Sequence, residues 1–287
     1  MELFTKGQIK LLAPAKINFS LYVGKKREDG YHPISSIMVP IELHDEIILN
    51  YSPIEEPLKV NCLVPANKEL ENKNNLIIKL ATAYAGARNI FGHLEVILHK
   101  NIPAKAGLGG GSSDGASVLL WLNNCLKEPW DLEKLSLFAA QLSADAPFFL
   151  YKKSALVRGI GEVVKTIDKP LSGYLLLVKP PADYSTKDIY TAFDALKKRH
   201  SLPADIKTQQ MGHNDLFTPA AKLCPEIKVA LSDLELALAK SYQSAKVLSM
   251  SGSGSTCYAL LADKAAATMV LNTLERRPGW FYHICQV

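Results

Sequence analysis

The amino-acid sequence predicts an α+β protein, and three observations carry that expectation. With 287 residues, 48% of them hydrophobic and 21% charged, the chain has the make-up of a globular protein with room for one large domain or two modest ones. Segments with the two-residue period of strands and segments with the 3.6-residue period of helices follow one another without strict βα alternation, which argues against a doubly wound parallel sheet. A polar stretch at 165–173, holding Pro170, interrupts the pattern and is the best candidate boundary, dividing the chain into 1–165 and 166–287.

In chain order, 9–12 and 17–23 read as strands, the second from its apolar–polar alternation, and 46–50 as a third. Residues 52–74 are polar and contain Pro53, Pro57 and Pro65, so short strand pieces joined by loops are expected there. An Ala-rich helical pattern covers 76–88, a strand follows at 94–99, and Asn101-Ile102-Pro103 opens a loop. Helices are expected at 112–126 and 132–142, then strands at 155–158, 162–165 and 174–178. The remainder alternates helices at 186–198, 227–240 and 264–275 with strands at 247–250, 256–261 and 280–286.

Charge and cysteine usage exclude several classes. The formal charge of +5 is spread along the chain rather than gathered in the stripe a nucleic-acid binder shows. Its densest run, Lys197-Lys198-Arg199, ends a predicted helix, where cations suit the helix dipole. The surplus positive charge favours an anionic small-molecule substrate. Five scattered cysteines without a C-x-x-C pair fit reduced thiols and give no metal spacing. His44, His93, His99, His200, His213 and His283 show no ligand spacing either, and no catalytic role is expected of them. The N-terminus lacks a signal or transit pattern, and no apolar run approaches the ~20 residues of a membrane span. A cytoplasmic protein without membrane or nucleic-acid partners is expected.

The most informative stretch runs Pro103-Ala104-Lys105-Ala106-Gly107-Leu108-Gly109-Gly110-Gly111-Ser112-Ser113. Four glycines in five residues allow backbone N–H groups to converge on one point, and two serines follow where a helix begins, adding unpaired donors and a dipole that favours anions. Such a loop suits a triphosphate, with the hydroxyls on phosphate oxygen or on phosphate-bound Mg²⁺. It is neither a Walker A loop, since G-K-[ST] is missing, nor a G-x-G-x-x-G turn, since Ser112 stands at the last glycine position. A plain turn with Ser112 as helix cap needs only one such residue, so four glycines weigh toward phosphate. A second loop, Ser251-Gly252-Ser253-Gly254-Ser255, lies between two predicted strands and by itself is as consistent with a hairpin as with a ligand loop.

Together with Pro14-Ala15-Lys16-Ile17-Asn18, these two loops resemble, in order and spacing, the three motifs of the GHMP kinases, across nearly the whole chain. Within that group Arg27-Glu28-Asp29-Gly30-Tyr31-His32 and Ser143-Ala144-Asp145-Ala146-Pro147-Phe148-Phe149 are most similar to the kinases of a cytidine-diphosphate-linked methylerythritol. Two departures are small: Ala146 where Val is usual, and Asp114-Gly115 where Asn-Ala or Asp-Ala is commoner.

The resemblance implies a two-domain fold, an N-terminal ATP-binding domain and a C-terminal ferredoxin-like α/β domain, working as a monomer or homodimer. It implies ATP and Mg²⁺ as cofactors, the metal arriving on the ATP phosphates without an assigned protein ligand, and transfer of the γ-phosphoryl group to the 2-hydroxyl of that polyol. Asp145 would be the catalytic base and Lys16 its electrostatic partner; an isolated Asp before a Pro turn, or a Lys in a strand, is more often structural. Asn18, two residues on from Lys16 and so on the same strand face, would orient polyol or diphosphate. Tyr31 and His32 look like a cytosine-recognition pair, with Tyr190 as the opposite stacking face and Thr186 nearby; an ordinary turn would instead bury the Tyr and expose the His. Gly252, Ser253 and Gly254 fall on the substrate side. Leu76, Ile77 and Lys100 fall at the adenine pocket, although a helix core accounts equally well for the first two. A sister GHMP kinase with another acceptor, and a nucleotide-binding module without turnover, are the competing readings.

Overall fold

The computed structural model describes residues 8–168, 172–196, 202–203 and 211–287, so the Lys197-Lys198-Arg199 run, His200 and Pro170 lie outside the described residues. The chain gathers into two compact units interleaved in sequence. One contains the described residues up to Ala15, Leu43–Ile102 and Gly109–Lys152; the other contains Lys16–Glu42, Pro103–Leu108 and the described residues from Lys153 onward.

Strands β1 (Ile9–Val23) and β2 (Ile34–Pro57) pair with each other, and each contributes to both units. In the first unit the second half of β2 pairs antiparallel with β4 (Phe91–His99), Ile47 opposite Leu98, and β3 (Lys59–Leu63) runs parallel to β4, Cys62 opposite Val96. Helices α1 (Leu76–Arg88), α2 (Gly110–Asn124), α3 (Leu132–Ala140) and α4 (Ala146–Tyr151) complete it. Ile77, Leu80 and Tyr84 of α1 and Val118, Leu119 and Leu122 of α2 recur at helical spacing and are fully buried. At Gly115 the two helices pack too closely for a side chain, because a Cβ there would stand 2.7 Å from Leu80 Cδ1 and 3.0 Å from the Leu76 carbonyl.

In the second unit the first half of β2 pairs antiparallel with β5 (Ala155–Gly159), which pairs with β6 (Val163–Thr166). A separate four-stranded sheet is antiparallel throughout, in the order β10 (Phe281–Gln286), β7 (Tyr174–Lys179), β9 (Cys257–Leu261), β8 (Val247–Met250). Helices α5 (Thr186–Asp194), α6 (Phe217–Leu223), α7 (Glu226–Lys240) and α8 (Lys264–Thr273) join it, α7 and α8 burying Ile227, Leu234, Ala267 and Val270. Helices segregated from antiparallel strands are the α+β arrangement the sequence predicts.

The elements differ from expectation in definite places. The strands expected at 9–12 and 17–23 form one strand, since Pro14 costs only the ladder bond its missing N–H would have made. β2 begins twelve residues before the predicted 46–50 strand and continues through Pro53; its first half is buried on both faces and so lacks the alternation that marks a strand. Helix α2 starts at Gly110, two residues early, with Gly109 as a left-handed N-cap. Helices α4 and α6, six and seven residues long, were not expected, being too short for a helical period to show. Among the described residues no helix is long and apolar enough to cross a membrane.

Candidate active site

In the second unit, β1 carries Lys16 and Asn18 on one face, each only 3% exposed. Lys16, where an isolated strand lysine would ordinarily face solvent, is therefore buried. Its ammonium donates to Asn18 Oδ1, while Asn18 Nδ2 donates to Ser36 Oγ at 2.7 Å and the Asn18 carbonyl accepts from Tyr258 OH at 2.9 Å. The two glycine-rich stretches meet beside this pair. Ser251 Oγ donates to the Gly107 carbonyl at 3.0 Å, the Thr256 amide donates to the Ala106 carbonyl at 3.2 Å, and the Lys16 amide donates to the Leu108 carbonyl at 3.0 Å. Gly107 has φ +71°, and a Cβ on it would stand 2.1 Å from the Ser251 carbonyl oxygen. At Gly252 a Cβ would lie 3.1 Å from Lys16 Nζ and 3.2 Å from Asn18 Oδ1, so bare backbone faces both groups.

Residues that sequence reasoning missed hold this arrangement. Asn214 Nδ2 donates to the carbonyls of Met250 and Gly252 at 2.7 and 2.9 Å, pinning the Gly/Ser loop from the far side. Tyr184 OH donates to the Ser253 carbonyl at 3.3 Å, and Thr186 Oγ1 lies 3.0 Å from Ser253 Oγ, which brings Thr186 to the loop. Lys105 pairs with Asp183 at 2.7 Å on the surface.

Tyr31 and His32 reverse the ordinary turn pattern: Tyr31 is 57% exposed and His32 is buried at 7%. His32 Nε2 lies 2.7 Å from Asp194 Oδ1, and its ring is 5.1 Å from that of Tyr190 and edge-on to Phe193 at 5.9 Å, all from α5. Asp194 also accepts from Lys26 Nζ at 3.0 Å. Partial burial works against its charge, but the hydrogen bonds from His32 and Lys26 outweigh it and hold the carboxyl below its usual range. His32 and Tyr190 thus lie ring beside ring, with Tyr31 next to His32 in the chain. Asp194 left no sequence signal, because its partner lies 162 positions away.

In the first unit, the start of α2 has no side-chain cap at Gly109. Three of its leading residues are Gly110, Gly111 and Ser112, and a Cβ on Gly111 would meet nothing closer than Leu76 Cδ1 at 4.0 Å. Ser143 Oγ donates to Ser112 Oγ at 2.9 Å, tying the segment that ends in Asp145 to the helix start. Asp145 immediately precedes α4, where Pro147 suits the first turn. Ser113 is fully buried, and its hydroxyl has no hydrogen-bond partner among the described residues.

Beneath this helix start, Lys100 Nζ pairs with Asp114 Oδ2 at 2.8 Å and with Asp45 Oδ2. Asp45 Oδ1 accepts in addition from the amides of Asn101 and Ile102, at 2.6 and 2.8 Å. Burial opposes the charge on Lys100, yet the two carboxylates outweigh it and raise its pKa. Asp114 is pushed up to about 8, by burial first and by Asp45 in addition, against the pull of Lys100. Leu76 is half-buried beside Gly111, and Ile77 is fully buried in the α1 core. Among the described residues no group of three or more His, Cys, Asp or Glu side chains is arranged to hold a metal ion.

Two family models match the chain: the GHMP kinases N terminal domain over residues 75–153 and the GHMP kinases C terminal over 192–279. A 4-diphosphocytidyl-2-C-methyl-D-erythritol kinase of Hydrogenobaculum sp. strain Y04AAS1 is 35% identical over 285 residues, covering 96% of this chain and 94% of the relative. The chain belongs to the 4-diphosphocytidyl-2-C-methyl-D-erythritol kinase family of GHMP kinases. A crystal structure of a 4-(cytidine 5'-diphospho)-2C-methyl-D-erythritol kinase matches this GHMP kinase with TM-score 0.73 and 30% identity, over 97% of this chain and all of the other. A homoserine kinase from Cytophaga hutchinsonii matches with TM-score 0.68 at 18% identity, over 98% of this chain and 95% of that one, and shares the fold.

Proposed function

We propose that the chain transfers the γ-phosphoryl group of ATP to the 2-hydroxyl of 4-diphosphocytidyl-2-C-methyl-D-erythritol, giving the 2-phosphate and ADP. This is a step of the non-mevalonate, or methylerythritol phosphate, route to isoprenoid precursors. The observation that carries the reading is the start of α2: a helix N-terminus with no side-chain cap, glycines that leave its approach open, and a buried serine hydroxyl without a partner. Those are the donors a phosphate chain requires.

In this reading Pro103–Ser113 wraps the ATP phosphates, and the Ser112 and Ser113 hydroxyls would hold phosphate oxygen or an accompanying Mg²⁺, which would supply charge neutralisation there. Leu76 borders the nucleotide, with Ile77 and Lys100 supporting it from within the protein. Asp145 accepts the proton of the 2-hydroxyl as that oxygen bonds to the γ-phosphorus; the bond from phosphorus to the β–γ bridging oxygen breaks, and its electron pair leaves on ADP. Lys16 offsets the negative charge developing on the transferred group, and Asn18 orients the acceptor. Tyr31 and Tyr190 offer ring faces to cytosine while His32 reads its edge. Thr186, Gly252, Ser253 and Gly254 border the acceptor. A division into 1–165, carrying the ATP and catalytic groups, and 166–287, carrying the substrate side, belongs to the same proposal; the two matched segments fall on either side of it. So do a cytoplasmic location and a monomeric or homodimeric state.

Purified protein with Mg²⁺ and ATP should release ADP when supplied with the cytidylyl polyol and not when supplied with homoserine or mevalonate. Phosphorus NMR should show a new phosphomonoester on the polyol. Turnover with homoserine or mevalonate alone would overturn the reading.

A further inference from the structure

We propose that Asp194 is a positioning residue that sets the choice of base: by taking the Nε2 hydrogen of His32 it leaves the Nδ1 lone pair to accept from the exocyclic amine of cytosine, so that uracil is refused. The inference rests on the reading that His32 meets the edge of the pyrimidine. Its basis is the way one helix holds one ring. Tyr190, Phe193 and Asp194 stand at i, i+3 and i+4 of α5, hence on one face, and all three meet His32. A reciprocal capping box between Ser185 and Asp188 fixes where that helix starts, and with it the register of the three. Tyr190 and Phe193 confine the buried ring from the side, while the carboxyl group takes its Nε2 end at 2.7 Å.

An ionised carboxylate can only accept, so the hydrogen of the neutral ring sits on Nε2 and the lone pair on Nδ1. Lys26 supports that state, because its Nζ donates to Asp194 Oδ2 at 3.0 Å while His32 occupies Oδ1. Each oxygen thus has its own donor. His32 Nδ1 has no hydrogen-bond partner among the described residues, which leaves it for a ligand. At the 4-position cytosine carries an amine, which donates, and uracil a carbonyl, which accepts. An acceptor at Nδ1 matches the first and confronts the second lone pair to lone pair. A site built to take one hydrogen bond rejects the analogue lacking it far more strongly than an apolar pocket can.

Asp194→Asn tests this, because Lys26 dictates how the new amide sits. An ammonium can only donate, so it takes the amide oxygen and turns the amide N–H groups toward His32 Nε2. The ring must then accept there and carry its hydrogen on Nδ1, which suits uracil. The measurement is kcat/KM for the cytidylyl polyol and for its uridylyl counterpart. The wild type should prefer the cytidylyl compound about 10²-fold or more, and in the variant that preference should fall at least about tenfold, through KM rather than kcat. A contact that merely holds α5 in place would weaken both acceptors alike, so an unchanged ratio overturns the inference and leaves the kinase reading standing. Failure of the wild type to phosphorylate either acceptor would remove that reading itself. Ring-nitrogen NMR of wild-type His32 at about pH 8, above the ordinary imidazole range, adds a test that needs no variant. The hydrogen should lie on Nε2 alone; one on Nδ1, in the other tautomer or in the imidazolium ion, would refute the proposal.

Discussion

The polar groups around Lys16 and around the start of α2 are satisfied differently. Around Lys16, in the second unit, Asn18, Ser36, Ser251 and Asn214 are hydrogen-bonded to neighbouring side chains and backbone, with the buried Thr256 hydroxyl an exception, and Gly107 leaves no room for a methyl group. Around the start of α2, in the first unit, the same kinds of group stand open. The helix has no side-chain cap, Ser113 Oγ and Asp114 Oδ1 have no partner among the described residues, and Gly111 has space above it. Glycine therefore means different things in the two places. At Gly107 it answers to the protein's own backbone, and at Gly111 packing makes no such demand, which leaves the approach of a ligand as the reason for it.

Substitutions can break or sharpen that contrast. The largest effect belongs to the open region: Asp145→Asn should lower kcat about 10²- to 10⁴-fold with little change in nucleotide affinity or unfolding temperature. Single-turnover assays beside nucleotide titration check this, and a variant that retains nearly full kcat refutes the base assignment. In the closed region Gly107→Ala should cost about 2–3 kcal/mol of stability or more, since a methyl group would collide with the Ser251 carbonyl from a left-handed backbone. Urea unfolding measures that loss, and an unchanged midpoint would show that the two loops are not locked. Tyr31→Ala should raise KM for the cytidylyl substrate about tenfold and spare kcat, because the exposed ring has stacking to lose and little packing. The smallest thermodynamic effect is expected at Gly111→Ala, a gain of about 0.5–1 kcal/mol in helix stability accompanied by a rise in KM for ATP. A gain in stability with KM unchanged would mean that nothing approaches the helix there.

Stability should also depend on pH through the open region. The folded-state pKa of Asp114 lies above its unfolded value, so its contribution is full below about pH 4 and is lost as pH rises toward 8. Asp114→Asn should therefore gain in melting temperature relative to the wild type as pH is raised from 5 to 9, and calorimetry at those two values decides it.

Much of this was legible in the sequence where the signal is local. The glycine run, the Ala-rich α1 and the short apolar C-terminal strands carry their signals within a few residues. What was illegible depended on distant partners. Lys16 looks like a solvated strand lysine until Asn18 and the 251–255 loop close around it. Asn214 reaches carbonyls 36 and 38 positions away, and Lys100 reaches Asp45 across 55. One clue to the buried cluster was present: Asp114 stands four and eight residues before Val118 and Leu122, on the apolar face of α2, where an acid needs a partner or a proton.

Strand β2 belongs to both compact units, its first half paired with β5 and its second with β4. Natural variants that gain or lose one residue between Met38 and Glu46 should accordingly be rare. With pairing retained on both sides of such a change, every side chain of one half would turn to the opposite face, and His44 or Glu46 would stand where Asp45 now meets Lys100. The insertions that lineages of this kinase tolerate should instead collect in the turns at either end of that strand.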